Sequence, residues 1–342
     1  MRFLASTFFI AILLFSLPIS ARETASPTTS SFDKNIGMVT GSATGTYYRF
    51  GKDIKDIVKT DGIDIEVKKS KGSIENINRI MSAENAALGI VQSDVLGFLK
   101  RSNDLESQKI ADNLRMIFPF YREEVHVIAH KSIKNFSDLS GKDVVVGPQG
   151  SGSWLTSVNL FKIADVTPNN MLRLPPEEGL LEVLRGRADA MIFVAGKPVK
   201  LFKNLDELTK NEAYKNMVEN VHFIPLTDTR MLSEYTKTKI SVDDYEFVKE
   251  DVPTIAVTAV LVSYGFFDSN SDYGRSRCDN IRKVSDIIHR NIGSLKKNGH
   301  KKWSEVNLSA NVGIWKKSRC SSGTSTAALE SALFNVINQP DK

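Results

Sequence analysis

The chain has 342 residues, 41% hydrophobic and 25% charged, with a formal net charge of +5 and two cysteines. That length accommodates two domains of ordinary size, each with its own core. Basic residues alternate with acidic ones, as in KDIKDIVK at 52–59, which excludes the clustered patch of a nucleic-acid binder.

The first 21 residues stand apart. Arg2 precedes the apolar run FLASTFFIAILLFSLPIS, broken by Pro18 and followed by small Ala21. This is the pattern of a signal peptide cut after residue 21. The run is short of the ~20 uninterrupted residues a membrane anchor needs. Residues 22–32, RETASPTTSSF, read as a flexible leader, so the mature chain is expected outside the cytoplasm, in the periplasm. In that setting the even pair Cys278 and Cys320 predicts a disulfide.

Short apolar runs then alternate with helical patterns. Strands are predicted at 36–40, 63–67, 86–91, 125–129, 143–146, 189–194 and 221–224. Apolar stripes predict helices over 47–58, 74–81, 155–163 and around 180–184, and further helices at 278–298 and 323–338. Such alternation predicts an α/β fold with mostly parallel strands. Two long β-branched segments, FPFYREEVHVIAH at 118–130 and DVPTIAVTAVLVSY at 251–264, read as crossings between two lobes. The expected division is lobe 1 at 33–122 and again at 253–342, with lobe 2 at 123–252 between them.

Three turns have the same chemical make-up, glycine with small hydroxyl or amide residues. They are GSATGTYY (41–48), KGSIEN (71–76) and GPQGSGS (147–153). Each follows a strand and opens a helix. Glycine lets backbone approach a ligand closely, serine and threonine cap the helix, and free amides at a helix start favour an anion. Each could equally be an ordinary capped helix start. Gln92 and Asp94 end a strand, and VAGKPVK at 194–200 ends another.

Enzyme readings fail on specifics. GPQGSGS lacks the lysine of a P-loop, and Gln149 stands where a nucleophile elbow needs glycine. His126 and His130, four apart in a strand, lie about 13 Å apart, too far for one metal. No catalytic residue, metal or cofactor is expected.

Several segments together resemble the TAXI family, the extracytoplasmic solute receptors of TRAP-type transporters. They are GSATGTYYRFGKDI, KKSKGSIENINRI, LGIVQSDVL, VVVGPQGSGS, ADAMIFVAGKPV and RCDNIRKVSDIIHRNIGSLKKNGHKKWSEV. The resemblance implies a bilobed, type II-like periplasmic binding protein. Two α/β lobes joined by two crossing strands would close on a small carboxylate, an amino acid such as glutamate or glutamine, or a dicarboxylate. It implies delivery to a membrane permease, and single capture needs only a monomer. The binding positions it implies are Ser42, Thr44, Gly45, Tyr47 and Tyr48 from the first turn, and Ser73 and Asn76 from the second. Gln92 and Asp94 would join them, with Gln149, Gly150, Ser151, Gly152, Ser153, Ala195, Gly196, Lys197 and Pro198 from the far lobe. Ala87, Ser153, Trp154 and Lys197 depart from the commonest family pattern, so the ligand is not carried over. The alternative is a periplasmic sensor or surface interaction protein with the same fold and no transporter.

Overall fold

The computed structural model describes residues 35–43, 45–82, 86–266 and 271–321. The expected signal peptide, the leader, Thr44 and the helix expected at 323–338 lie outside the described residues.

The chain begins with β1 (Asn35–Val39), α1 (Thr46–Lys59), β2 (Asp64–Lys68), α2 (Ser73–Met81) and β3 (Leu88–Gln92). Two short helices follow, α3 (Val95–Lys100) and α4 (Leu105–Asn113), and then the 17-residue strand β4 (Leu114–His130). Next come β5 (Asp143–Val145), α5 (Gly152–Ala164), β6 (Asn170–Leu172), α6 (Pro176–Leu184) and β7 (Ala190–Ala195). The elements α7 (Lys200–Thr209), α8 (Glu212–Glu219), β8 (Val221–Phe223), α9 (Thr229–Glu234) and β9 (Thr236–Ile240) lead to the second long strand, β10 (Val252–Tyr264). Helix α10 (Asp272–Asn298) and a 3-10 turn at Lys301–Glu305 follow, and the described chain runs on to residue 321.

All ten strands form one sheet in the order β2-β1-β3-β10-β4-β7-β5-β6, with β8 beside β4 and β9 beside β10. The β1–β2, β1–β3, β5–β6 and β5–β7 pairs are parallel, as βαβ alternation demands. Every pair that includes β4 or β10 is antiparallel. The sheet is therefore mixed, and the antiparallel character enters only through the two long strands.

Those strands run through four apolar clusters of the described residues, two of which show where the lobes divide. One apolar cluster gathers Ile36, Phe50, Ile54, Phe118, Tyr121, Ala259, Ile281 and Trp303. Another gathers Val125, Val127, Val144, Leu160, Ile192, Ile255 and Val257. Along β4 the core changes between Tyr121 and Val125, and along β10 between Val257 and Ala259. The β4–β10 register shifts at this place: Thr258 faces Arg122 but Val260 faces Pro119. One extra residue on β4 makes a bulge, which bends a strand and raises its twist. Pro119, which has no amide hydrogen to give, sits where the ladder is already irregular. The result is two α/β lobes on one curled sheet, joined by two crossing strands.

Local sequence explains the flanking helices. Phe50, Ile54 and Val58 recur at helical spacing along α1 and are fully buried. Each such side chain contributes about 1.5–3 kcal/mol by burial. Phe50 stacks on Trp303 at a centroid distance of 4.2 Å. Asp53 accepts hydrogen bonds from Trp303 Nε1 and from the His300 amide, each 2.8 Å. The Lys301–Glu305 turn is thereby fixed to α1. Among the described residues no helix is long and apolar enough to cross a membrane.

Cys278 of α10 and Cys320 form the expected disulfide across 42 positions. Closing a loop of that length removes about 4 kcal/mol of unfolded-state entropy. Replacing both cysteines by serine should lower the unfolding free energy by up to about that amount, read from urea denaturation.

Candidate functional site

The three glycine-bearing turns sit at the carboxyl ends of β1, β2 and β5, where open α/β sheets place their ligand sites. In the first, Gly45 is the N-cap of α1 and Ser42 is exposed. Tyr47, one residue into the helix, donates from its hydroxyl to Glu123 Oε2 at 2.6 Å. Tyr48 is half-buried and makes no such bond.

The second turn holds α2 to the sheet. Ser73 Oγ accepts the Gln92 amide at 3.0 Å, and Asn76 Nδ2 donates to the carbonyls of Thr40 (2.6 Å) and Ile90 (2.7 Å). Both side chains are buried and bonded within lobe 1. In the third turn Ser151 caps α5 by accepting the Trp154 amide, and Ser153 Oγ accepts the Val194 amide at 3.0 Å. Gln149 is exposed and accepts a hydrogen bond from Arg173.

The structure brings the second and third turns together across the lobes. A Cβ at Gly72, whose φ is +125°, would lie 3.3 Å from the Gly152 amide nitrogen and 3.5 Å from Ser151 Cα. A Cβ at Gly152 would lie 2.2 Å from Gln92 Oε1. Glycine at both positions allows this approach.

The Ala195–Pro198 segment of lobe 2 meets the Lys301–Glu305 turn. A Cβ at Gly196 would come within 2.6 Å of Lys302 Cε. The Lys197 amide donates to Glu124 Oε2 at 3.0 Å. The Lys197 side chain turns the other way, to Asp244 (2.7 Å) and the Lys239 carbonyl (2.8 Å).

Between these contacts runs a buried polar chain in which Tyr47, Gln92 and Asp94, expected from the sequence, are joined by Glu123, Thr156 and Tyr235, which sequence reasoning did not single out. Glu123 and Glu124 on β4 are 6% and 4% exposed. Gln92 lies beside the Glu123 carboxylate. The Thr156 hydroxyl of α5 contacts Gln92 Oε1 at 3.5 Å and donates to Asp94 Oδ2 at 2.8 Å. Tyr235 donates to the same oxygen at 3.2 Å. The chain Tyr47–Glu123–Gln92–Thr156–Asp94–Tyr235 thus passes from lobe 1 into lobe 2. Lys302, 4% exposed, lies 2.6 Å from Glu305 and 3.9 Å from Glu124.

Burial sets the protonation of this region. It pushes the Glu123 carboxyl up to about 7, against the pull of the Tyr47 hydroxyl and Gln92. It pushes Asp94 up to about 6, against hydrogen bonds from Thr156 and Tyr235. Glu124 is raised by burial and drawn back by Lys302. Tyr47 and Tyr121 lie well above the ordinary phenol value, through burial and then the Glu123 charge. Hydroxyls and carboxylates dominate this region.

Of the residues that sequence reasoning did not name, only Glu123 and Glu124 leave a signal, two adjacent glutamates inside an apolar strand pattern, YREEVHV at 121–127. Thr156, Tyr235 and Lys302 come from distant segments, and nothing local marks them.

A family model described as the NMT1-like family matches residues 38–275. The chain belongs to the NMT1-like family. No curated protein matches it. Among solved structures, an ABC uptake transporter substrate binding protein from Streptococcus pneumoniae with bound histidine is similar at 11% identity. That match covers 81% of this chain and 95% of that chain, with a TM-score of 0.45. The GluR0 ligand-binding core from Nostoc punctiforme in complex with L-glutamate is similar at 16% identity. There the match covers 75% of this chain and 98% of that one, with a TM-score of 0.41.

A branched side chain at Gly152 would meet the end of the Gln92 side chain, which must move aside for it to fit between the lobes. Gly152→Val should hold the lobes apart while each lobe stays folded, seen as a larger radius of gyration by small-angle scattering with far-UV circular dichroism unchanged.

His126, in the lobe 2 core, ties stability to pH. Its Nδ1–H donates to the Glu124 carbonyl (3.0 Å) and its Nε2 accepts from the Tyr245 hydroxyl (2.9 Å). Burial lowers its pKa to about 4 from 6.5. As pH falls, the unfolded chain takes up this proton first. The stability contributed by neutral His126 is therefore present above pH 6.5 and is lost as pH falls toward 4. The loss is on the order of 3 kcal/mol. Asp94 and Glu123, with raised values, act in the opposite sense: their contribution is present at low pH and is lost as pH rises through about 6 and about 7. His126→Gln should flatten the fall in urea midpoint between pH 6.5 and 4. An unchanged profile would exclude His126 as its source.

Proposed function

We propose that this protein is an extracytoplasmic solute-binding receptor. It captures a small organic carboxylate, an amino acid or a dicarboxylate, between its two lobes and presents it to a membrane permease. Within the NMT1-like family, its turn motifs and its C-terminal RCDNIRKVSDIIHR segment favour the TAXI receptors of TRAP-type transporters. The observation that carries this reading is the meeting of the α2 and α5 helix starts across the lobes, at Gly72 and Gly152, beside a buried polar chain.

The mechanism is capture by closure. The lobes move about β4 and β10, and ligand stabilises the closed arrangement because it contacts both sides only there. No covalent chemistry is required, and the protein acts without a cofactor. The signal-peptide pattern of residues 1–21 supports a periplasmic location.

The test is native mass spectrometry of the chain from residue 22, purified without denaturation, followed by thermal shift with amino acids and dicarboxylates. A co-purified small acid, released on denaturation, is the expected result. Ligand at one hundred times Kd adds about 2.7 kcal/mol to stability. Ser151→Trp, placed at the Gly72 contact, should abolish that shift while leaving a cooperative unfolding transition. Loss of the Ser151 cap costs about 1 kcal/mol by itself. Unchanged affinity in this variant would remove the third turn from the site.

A further inference from the structure

Asp94 stands between β3 and α3 in lobe 1, yet the side chains that bond it come from lobe 2. The Thr156 hydroxyl of α5 donates to Asp94 Oδ2 at 2.8 Å. The Tyr235 hydroxyl, at the end of α9, donates to the same oxygen at 3.2 Å. Asn159, three positions after Thr156 on α5, reaches the carboxyl as well. Arg101, at the end of α3, donates back across the lobes to Asn159 Oδ1 at 3.4 Å. Beside these bonds Phe98 of α3 meets the Trp154 ring edge-on at 6.0 Å, and Leu155 of α5 packs in one apolar cluster with Val95, Leu96 and Leu99. A single carboxyl of lobe 1 is the acceptor on which two elements of lobe 2 converge.

Its two oxygens are not alike. Oδ2 takes both hydroxyl hydrogens, whereas Oδ1 is buried and has no hydrogen-bond partner. An ionised carboxylate carries its charge on both oxygens, and charge on a buried atom without a donor is costly. A proton on Oδ1 removes that charge and leaves Oδ2 to accept from Thr156 and Tyr235. No cation forms an ion pair with Asp94 among the described residues. The charged or titratable groups facing it are Tyr235 of lobe 2, Arg101 of α3 (bonded to Asn159), Tyr47 of α1 and, beyond Gln92, Glu123 of β4. With the lobes apart, Thr156, Tyr235 and Asn159 withdraw with lobe 2. Water then reaches the carboxyl and its ordinary acidity returns.

We propose that Asp94 is a positioning residue, the latch that fixes lobe 2 against lobe 1, and that closing the lobes draws a proton onto its carboxyl. The proposal rests on the capture-by-closure reading above and adds a proton to it. With the lobes together, burial pushes the Asp94 carboxyl up to about 6 from 3.8. A value raised by closing supports the closed arrangement at low pH, and that support is lost as pH rises through about 6. Closing therefore takes up about one proton near pH 5 and almost none at pH 8.

The experiment uses the mature chain with its disulfide intact and needs no solute. Carbon-13 carboxyl NMR, with the Asp94 signal identified by its loss in D94N, follows the titration in the native chain and in Gly152→Val, whose lobes are held apart. Asp94 should titrate near 6 in the native chain and at least one pH unit lower in Gly152→Val. Small-angle scattering follows closure itself. The closing equilibrium should fall by about tenfold or more from pH 4.5 to pH 7.5, seen as a rising radius of gyration. D94N, neutral at every pH, should keep one radius throughout. An ordinary Asp94 value in the native chain, the same value in both proteins, or a native radius that does not change with pH overturns the latch. So does a pH-dependent radius that survives D94N. Each of these outcomes leaves the receptor reading standing, because that reading falls only with the solute-binding measurements. If Gly152→Val fails to fold, the pH series on the native chain and D94N decides alone.

Discussion

The antiparallel pairing of β4 with β10 is the constraint on which the molecule rests. Two strands of 17 and 13 residues run through both lobes, so one hydrogen-bonded ladder is shared by the apolar clusters of each. Each lobe can pack its own helices, but their relative placement is set by how these strands twist at the register shift beside Thr258. Glu123 and Glu124 lie on β4 just past that shift. The residues that face the other lobe are thus placed by the same irregularity that divides the cores.

A second constraint is electrostatic. Burying Glu124 is tolerable because Lys302 reaches it, and Lys302 is where it is because Trp303 stacks on Phe50 and bonds Asp53. Lys302 draws on Glu123 as well, whose carboxylate accepts from the Tyr47 hydroxyl, while Asp94 is held by the hydroxyls of Thr156 and Tyr235. Hydroxyl donors soften the desolvation of a carboxylate without cancelling its charge. Both carboxyls accordingly keep their protons to a higher pH than exposed ones do.

The α/β class and the two crossing strands were legible because strand runs and helical stripes alternate, and because 118–130 and 251–264 are too long and too β-branched for ordinary strands. The parallel expectation failed only where those strands pair, since pairing direction is a property of chain path and leaves no mark on local pattern. Short elements were missed for want of signal: β6 has three residues, and β9, TKTKI, is mostly polar because its side chains are largely exposed. At the site, the glycine turns announced themselves by composition. Their near contact at Gly72 and Gly152 could not be read from either alone. Glu123 was visible as charge in an apolar strand, yet its partners Tyr47 and Gln92 come from other elements. Lys302 is 178 positions from Glu124, and such a pairing exists only once the chain has folded.

The nesting of one lobe inside the other orders the birth of the protein. The second core draws on residues from Val125 to Val257, an uninterrupted stretch, whereas the first needs both Ile36 and Trp303. A chain emerging from its amino end can therefore complete the inner lobe while the outer one still waits for its final helix. Until Lys302 arrives, Glu124 has no counter-ion and the first lobe no closing wall. The outer lobe closes only when the chain has been made past Lys302 and Trp303.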